Sequence, residues 1–301
     1  MHKLYLTAGG GIGDFIYTYF RKPSWRVLNN IKQKYPDSII TAVIICHNSS
    51  ANELIEFNPY IDMTINHTWR LPGDPKESLW KEIIDTDKIM YTEHFATQDR
   101  IAESNPKIFL SPTEEANIKK IQEKPYIAIH PFAGLPHRGC MPHPYDGQYK
   151  CFPDYKYVEL VKELSKQYQV VIVGRSETGN QGIRIKTEVL DISGDNIINL
   201  VDKASLRENV SICRNAIGFI GSHSSMLSAA WTNNVPSIFF YPTDADPNIT
   251  VDVRRNGGET GTWALNKPYN QYFQMKAKEF LSLNVGTVIN KLKEVIRIKN
   301  H

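Results

Sequence analysis

Residues 216–220, Ala-Ile-Gly-Phe-Ile, run into Gly221-Ser222-His223-Ser224-Ser225-Met226-Leu227-Ser228-Ala229-Ala230-Trp231, and Val235-Pro236-Ser237-Ile238-Phe239-Phe240-Tyr241-Pro242-Thr243-Asp244-Ala245-Asp246-Pro247 follows. The pattern is a buried strand over 216–220, a hydroxyl-rich turn, a helix over 226–232 and a second buried strand over 237–241. A strand-to-helix turn of this kind points free backbone N–H groups at one spot, where the helix dipole also favours negative charge. Such a spot suits a phosphate. The same serines can instead simply cap the helix, and these residues alone leave the two readings level.

Working outward, the rest of the chain repeats the alternation of β and α. In the first half, strands are expected at 3–7, 39–46, 61–65 and 88–91, with helices at 15–20, 25–35, 50–57 and 74–85. In the second half, strands are expected at 126–130, 170–173 and 197–200, with helices at 154–168, 205–214 and 285–298. Val158, Val161 and Leu164 mark the apolar face of the 154–168 helix. Ser111-Pro112-Thr113-Glu114-Glu115 has the chemistry of a helix start, and Lys124-Pro125 ends that helix at a natural boundary. The expected fold class is α/β: two parallel-sheet domains, 1–124 and 125–301, facing across a cleft, with the last helix able to pack back on the first domain. A chain of 301 residues is long for one core and suits two.

Composition excludes several classes. Apolar residues are 41% and charged residues 22%, ordinary for a globular protein. A net charge of +3 is too small to argue for a nucleic-acid or membrane surface. No run approaches the ~20 apolar residues of a membrane span. The N-terminus enters a strand at once without a cleavage pattern, and four cysteines do not make a disulfide framework, so a cytoplasmic location is expected.

Two other stretches carry chemistry. Gly9-Gly10-Gly11-Ile12-Gly13-Asp14 follows the first strand, and its glycines allow a tight turn and close approach of a ligand. The spacing is not that of a dinucleotide fingerprint, and the strand over 39–46 ends in His47-Asn48 rather than the acid that would hold a ribose. Asp14 stands at the edge where open parallel sheets bind ligands; its bland role is a first-turn acid of the helix. The second stretch is the loop between Gly134 and Pro153. His137, Cys140, His143 and Cys151 have the ligand types for a tetrahedral zinc, although the spacing matches no standard module. The alternative is a loop whose histidines and cysteines face solvent or pack. Arg138 and Lys150 would complement a pyrophosphate held near the strand end at His130.

Taken in order, these motifs resemble the bacterial heptosyltransferases, glycosyltransferase family nine. Lys150-Cys151-Phe152-Pro153 is similar to the family's Lys-x-Trp-Pro, with Phe for Trp. Lys203-Ala204-Ser205-Leu206 is similar to its Lys-x-Ser-Leu, and Phe240-Tyr241-Pro242-Thr243-Asp244 to its Phe-Gly-Pro-Thr-Asp-Pro. Gly13-Asp14 matches its Gly-Asp turn. The phosphate turn departs: where the family has Asp-Thr/Ser-Gly-x-x-His, this chain has His223-Ser224-Ser225-Met226-Leu227-Ser228.

The resemblance implies two Rossmann-like domains in the GT-B arrangement, an N-terminal acceptor domain and a C-terminal nucleotide-sugar donor domain. It implies an inverting glycosyltransferase that needs no metal or other cofactor and takes a nucleoside-diphosphate sugar as donor. Asp14 would be the general base, with Gly11 and Gly13 on the acceptor side. Arg138, Lys150, His223, Ser224, Ser225 and Met226 would hold the diphosphate, with Gly174, Arg175, Leu200 and Asp202 at the nucleoside. The acceptor is open: a glycan, lipid-linked sugar, protein or modified nucleic-acid base. Two alternatives remain, a sugar-nucleotide-binding protein without transfer and a GT-B-type epimerase in which Asp14, His130 and His223 form a cluster. The aromatics Tyr17, Tyr19, Phe20 and Trp25 are expected as helix-face packing rather than a sugar platform.

Overall fold

A computed structural model of the chain describes residues 3–10, 12–46, 49–68, 89–91, 106–132, 152–178, 183–184, 188–222, 224–242 and 267–300. The chain divides into two compact units, Met1–Ser111 and Pro112–His301.

The first unit holds β1 (Lys3–Gly10), α1 (Ile12–Arg21), α2 (Pro23–Arg26), α3 (Leu28–Lys34), β2 (Ile39–Cys46), β3 (Met63–Thr68) and β4 (Ile89–Tyr91). Its sheet is parallel throughout, in the order β3-β2-β1-β4. The apolar run of β2 is buried over Ile40, Ala42, Val43 and Ile44, as expected for a strand covered on both faces. Helix α1 buries Phe15, Ile16, Tyr19 and Phe20, and Trp25 packs edge-on against Phe15 with ring centroids 5.7 Å apart. Tyr19, Phe20 and Trp25 are therefore core. The helix expected over 25–35 is broken at Val27 into α2 and α3, and the one over 50–57 is a short 3-10 segment, Ser49–Leu54. The helix expected over 74–85 lies outside the described residues.

The second unit holds α4 (Pro112–Ile121), β5 (Tyr126–His130), α5 (Asp154–Ser165), β6 (Gln169–Ile172), the two-residue pair β7 (Glu177–Thr178) and β8 (Ile183–Arg184), β9 (Ile197–Asn199), α6 (Leu206–Asn215), β10 (Gly218–Ser222), α7 (Ser225–Thr232), β11 (Ser237–Pro242), β12 (Asn270–Met275) and α8 (Val285–Asn300). Its main sheet is parallel, in the order β12-β11-β10-β5-β6-β9. Counted by strand within the unit, that is the doubly wound order 3-2-1-4-5-6, which reverses direction between β5 and β10.

One boundary differs from the sequence expectation. Helix α4, expected with the first half, belongs to the second unit. Its Glu114 receives the Arg207 guanidinium of α6 at 3.0 Å, both side chains under 10% exposed, and its Asn117 donates to Glu208 at 2.9 Å. A boundary at 111 rather than 124 follows from that buried pair. Helix α8 turns Val285, Val288, Leu292 and Val295 into the core of its own unit, beside Ile220 and Ile238. On α5 the buried residues are Tyr157, Leu160, Val161 and Leu164; Val158 is only partly covered. Strand β12 has no counterpart in the sequence expectation, because Asn-Gln-Tyr-Phe-Gln-Met is a half-buried edge strand without an apolar run.

Candidate functional site at the switch point of the second sheet

Open parallel sheets bind ligands beyond the carboxyl ends of their strands, where the strand order reverses. In the second unit that point lies between β5 and β10, which pair in register with Gly221 beside His130. Gly221 is required by this close approach: a Cβ there would lie 2.7 Å from the His130 carbonyl oxygen. Strand β5 ends at His130, and β10 ends at Ser222 and gives way to α7 after two residues. The phosphate turn suggested by the sequence thus opens at the switch point.

Ser224 is the N-cap residue of α7, with extended backbone at φ −149° and ψ 175°. Its hydroxyl makes no capping bond to the helix. It lies instead 2.9 Å from Nδ1 of His130, 94 residues earlier in the chain. The first-turn N–H groups of α7, Ser225 and Met226 among them, thus receive no cap from the Ser224 side chain. This is the donor arrangement that helix N-termini offer to an anion. Beneath it, Tyr157 and Ser222 hydroxyls meet at 3.4 Å inside the core.

The His130 imidazole is enclosed. It is 7% exposed, with Phe132 edge-on at 5.9 Å between ring centroids. Gly174, which follows β6, closes the other side: a Cβ there would lie 2.9 Å from His130 Cδ2 and 2.6 Å from Phe132 Cδ2. Gly174 also has φ +128°, a conformation that side-chain-bearing residues rarely adopt. Burial pushes the His130 pKa down to about 3, so the ring is neutral at physiological pH.

The four residues expected at the nucleoside gather at one end of β6 and β9. The Asp202 N–H donates to the Gly174 carbonyl at 3.1 Å, and the Leu200 N–H to the Ile172 carbonyl at 2.9 Å. Arg175 is exposed beside them. Asp202, at φ +60°, accepts from the Ser176 N–H at 2.7 Å and from the Ser176 hydroxyl. Its carboxylate acts as a clasp between two strand ends.

Two of the motifs turn out to have structural tasks. Phe152 stacks on Phe240 at 4.1 Å and is buried with Tyr157 and Phe280, while Pro153 is the N-cap residue of α5. Ser205 caps α6 in a reciprocal capping box with Glu208, and Lys203 donates to the Asn199 carbonyl at 3.1 Å. In the first unit, β1 continues through Gly10 and α1 begins at Ile12, so Gly13 and Asp14 stand in the first turn of α1 at the carboxyl edge of that sheet. Gly11, Arg138, Lys150 and His223, and the candidate zinc ligands His137, Cys140, His143 and Cys151, lie outside the described residues. Among the described residues no helix is long and apolar enough to cross a membrane. The pairing of His130 with Ser224 has no local signature in the sequence. Only the strand order, which puts β5 beside β10, reveals it.

No family model matches the chain, and no curated protein matches it in sequence. Solved structures do match in fold. The ADP-heptose LPS heptosyltransferase II of E. coli superposes with a TM-score of 0.53 at 13% identity, over 100% of both chains. A family 9 glycosyl transferase from Veillonella parvula gives 0.53 at 11% identity, over 98% of this chain and 97% of the other. The E. coli heptosyltransferase WaaC, solved with ADP, gives 0.52 at 11% identity over the same shares. The fold is that of the heptosyltransferase-like glycosyltransferases.

Proposed function

We propose that this chain is a glycosyltransferase that moves a sugar from a nucleoside-diphosphate sugar to an acceptor hydroxyl. The observation that carries the reading is the serine turn at the switch point of the second sheet, where α7 begins and the Ser224 hydroxyl does not cap it. The fold shared with heptosyltransferases, one of them solved with ADP, supports a nucleotide as the ligand there.

In this scheme the acceptor oxygen attacks the anomeric carbon from the face opposite the diphosphate, which inverts that centre. Asp14 takes the acceptor proton. The bond from the anomeric carbon to the leaving phosphate oxygen breaks, and its electron pair stays on the diphosphate. That charge is met by Ser224, Ser225 and the Met226 N–H, with Arg138, Lys150 and His223 as further donors and no metal required. Gly174, Arg175, Leu200 and Asp202 border the nucleoside. Gly11 and Gly13 let the acceptor approach Asp14.

Thermal unfolding in the presence of a panel of nucleoside diphosphates tests the donor site. A ligand at about a hundred times its dissociation constant adds roughly 2.7 kcal/mol. Stabilisation by one base identifies the nucleotide; no stabilisation by any overturns the reading. Asp14→Asn should abolish transfer and leave nucleotide affinity intact, and unchanged turnover removes Asp14 from the mechanism. A chain that binds nucleotide yet moves no sugar to any acceptor would instead be a sugar-nucleotide-binding protein.

A further inference from the structure

Ser224 stands where a serine ordinarily caps its own helix, yet its hydroxyl is turned to a buried imidazole on another strand. Something other than helix capping fixes that orientation. A neutral imidazole has one N–H and one bare nitrogen, and a serine hydroxyl has one proton to give. Two arrangements therefore fit the 2.9 Å contact. If Nδ1 accepts, the serine proton is consumed inward and only oxygen lone pairs face the turn, which repels an anion. If Nδ1–H donates, the serine oxygen accepts from the ring and its own proton is free to point toward the first-turn N–H groups of α7. Only the second arrangement lets the Ser224 hydroxyl donate to a phosphate.

We propose that His130 is a positioning residue for the phosphate turn: its Nδ1–H holds the Ser224 oxygen so that the serine hydroxyl donates to the diphosphate of the bound nucleotide. The inference rests on the donor-site reading above and adds a residue that lies in a different strand from the turn it serves. The ring has little freedom to do otherwise. Gly174 leaves it room that no Cβ would leave, Phe132 packs on its edge, and the His130 backbone is locked to Gly221 by the sheet register. A charged ring would also attract phosphate, but burial keeps this one neutral, so its contribution passes through the serine.

Calorimetric titration of ADP, UDP, GDP, CDP and dTDP, each beside its nucleoside, provides the test in the full chain. The wild type should bind one diphosphate more tightly than its nucleoside. His130→Leu and Ser224→Ala should each weaken the diphosphate about tenfold, the worth of one hydrogen bond to a charged group. Both variants should leave the nucleoside unchanged, and the double variant should lose no more than either single one. His130→Asn, whose amide N–H sits near the place of Nδ1–H, should recover most of the loss. A role in stability alone would move diphosphate and nucleoside together. Undiminished diphosphate binding in His130→Leu, losses that multiply in the double variant, or no recovery with Asn each overturn the proposal while the donor site stands. Should the wild type bind none of the five, the donor-site reading falls and takes this one with it. Ser224→Ala, a small change at a half-buried surface position, keeps the test decisive if His130→Leu folds poorly.

Discussion

A buried neutral histidine makes stability depend on acidity, and the sign is fixed. Its ordinary pKa of about 6.5 falls to about 3 in the folded chain, so between those values the unfolded chain binds a proton that the folded one refuses. His130 thus costs stability as pH falls from about 6.5 toward 3, at up to about 1.4 kcal/mol for each pH unit. Denaturant unfolding followed between pH 7 and 4 should show that slope, and His130→Asn should flatten it. An equal slope in both proteins would place the acid sensitivity elsewhere. Gly174 is coupled to the same ring. An alanine there must adopt φ near +128° and push its Cβ within 2.6 Å of Phe132. Gly174→Ala should therefore lower stability by about 2 kcal/mol or more and weaken nucleotide binding along with it. Stability equal to wild type, measured by the same denaturant titration, would show that the strand ends give way more readily than their packing indicates.

Among the elements, α4 is held to the second unit by a buried ion pair as well as by its apolar face, Ile118 and Ile121. Glu114 and Arg207 are paired at 3.0 Å, both nearly excluded from solvent, with Ser205 also donating to the carboxylate. Removing one partner of such a pair leaves an unpaired buried charge, which costs about 3–5 kcal/mol. Glu114→Gln should thus destabilise the second unit by an amount of that order, and Arg207→Met with Glu114→Leu should restore part of it. A double variant no better than Glu114→Gln would mean that the surrounding hydrogen bonds, not the charge, carry the contact. This pair also explains where the sequence could be read and where it could not. Apolar runs such as 39–46 and 126–130 coincide with β2 and β5 because a strand buried on both faces has a local signature. Ownership of α4 had none: Lys124-Pro125 marks an end of helix correctly, but the residue that claims the helix is 93 positions away. For the same reason Phe152 and Ser205, conspicuous as motif members, are a core stack and a helix cap, while His130 gains its role only from the adjacency of β5 and β10.

At the scale of the whole molecule, the two units differ in what the proposed chemistry asks of them. The switch-point turn, the enclosed His130 and the strand-end clasp of Asp202 all lie within residues 112–301. Asp14 belongs to the first unit, on α1. In the proposed scheme, nucleotide binding and proton removal therefore fall to separate units, and a cut between them should separate the two functions. The fragment 112–301 should bind the same nucleoside diphosphate as the full chain, with a dissociation constant within about threefold, because none of its donors is lost and a difference of that size is under 1 kcal/mol. It should transfer no sugar, since the proposed base is absent, and adding the 1–111 fragment in trans should restore transfer only if the two associate. Titration calorimetry on the fragment reads the first outcome directly. A folded fragment, judged by its far-ultraviolet circular dichroism and cooperative melting, that fails to bind would show that the first unit supplies part of the nucleotide site. The general base and the phosphate turn would then have to be treated as one cooperative centre rather than two.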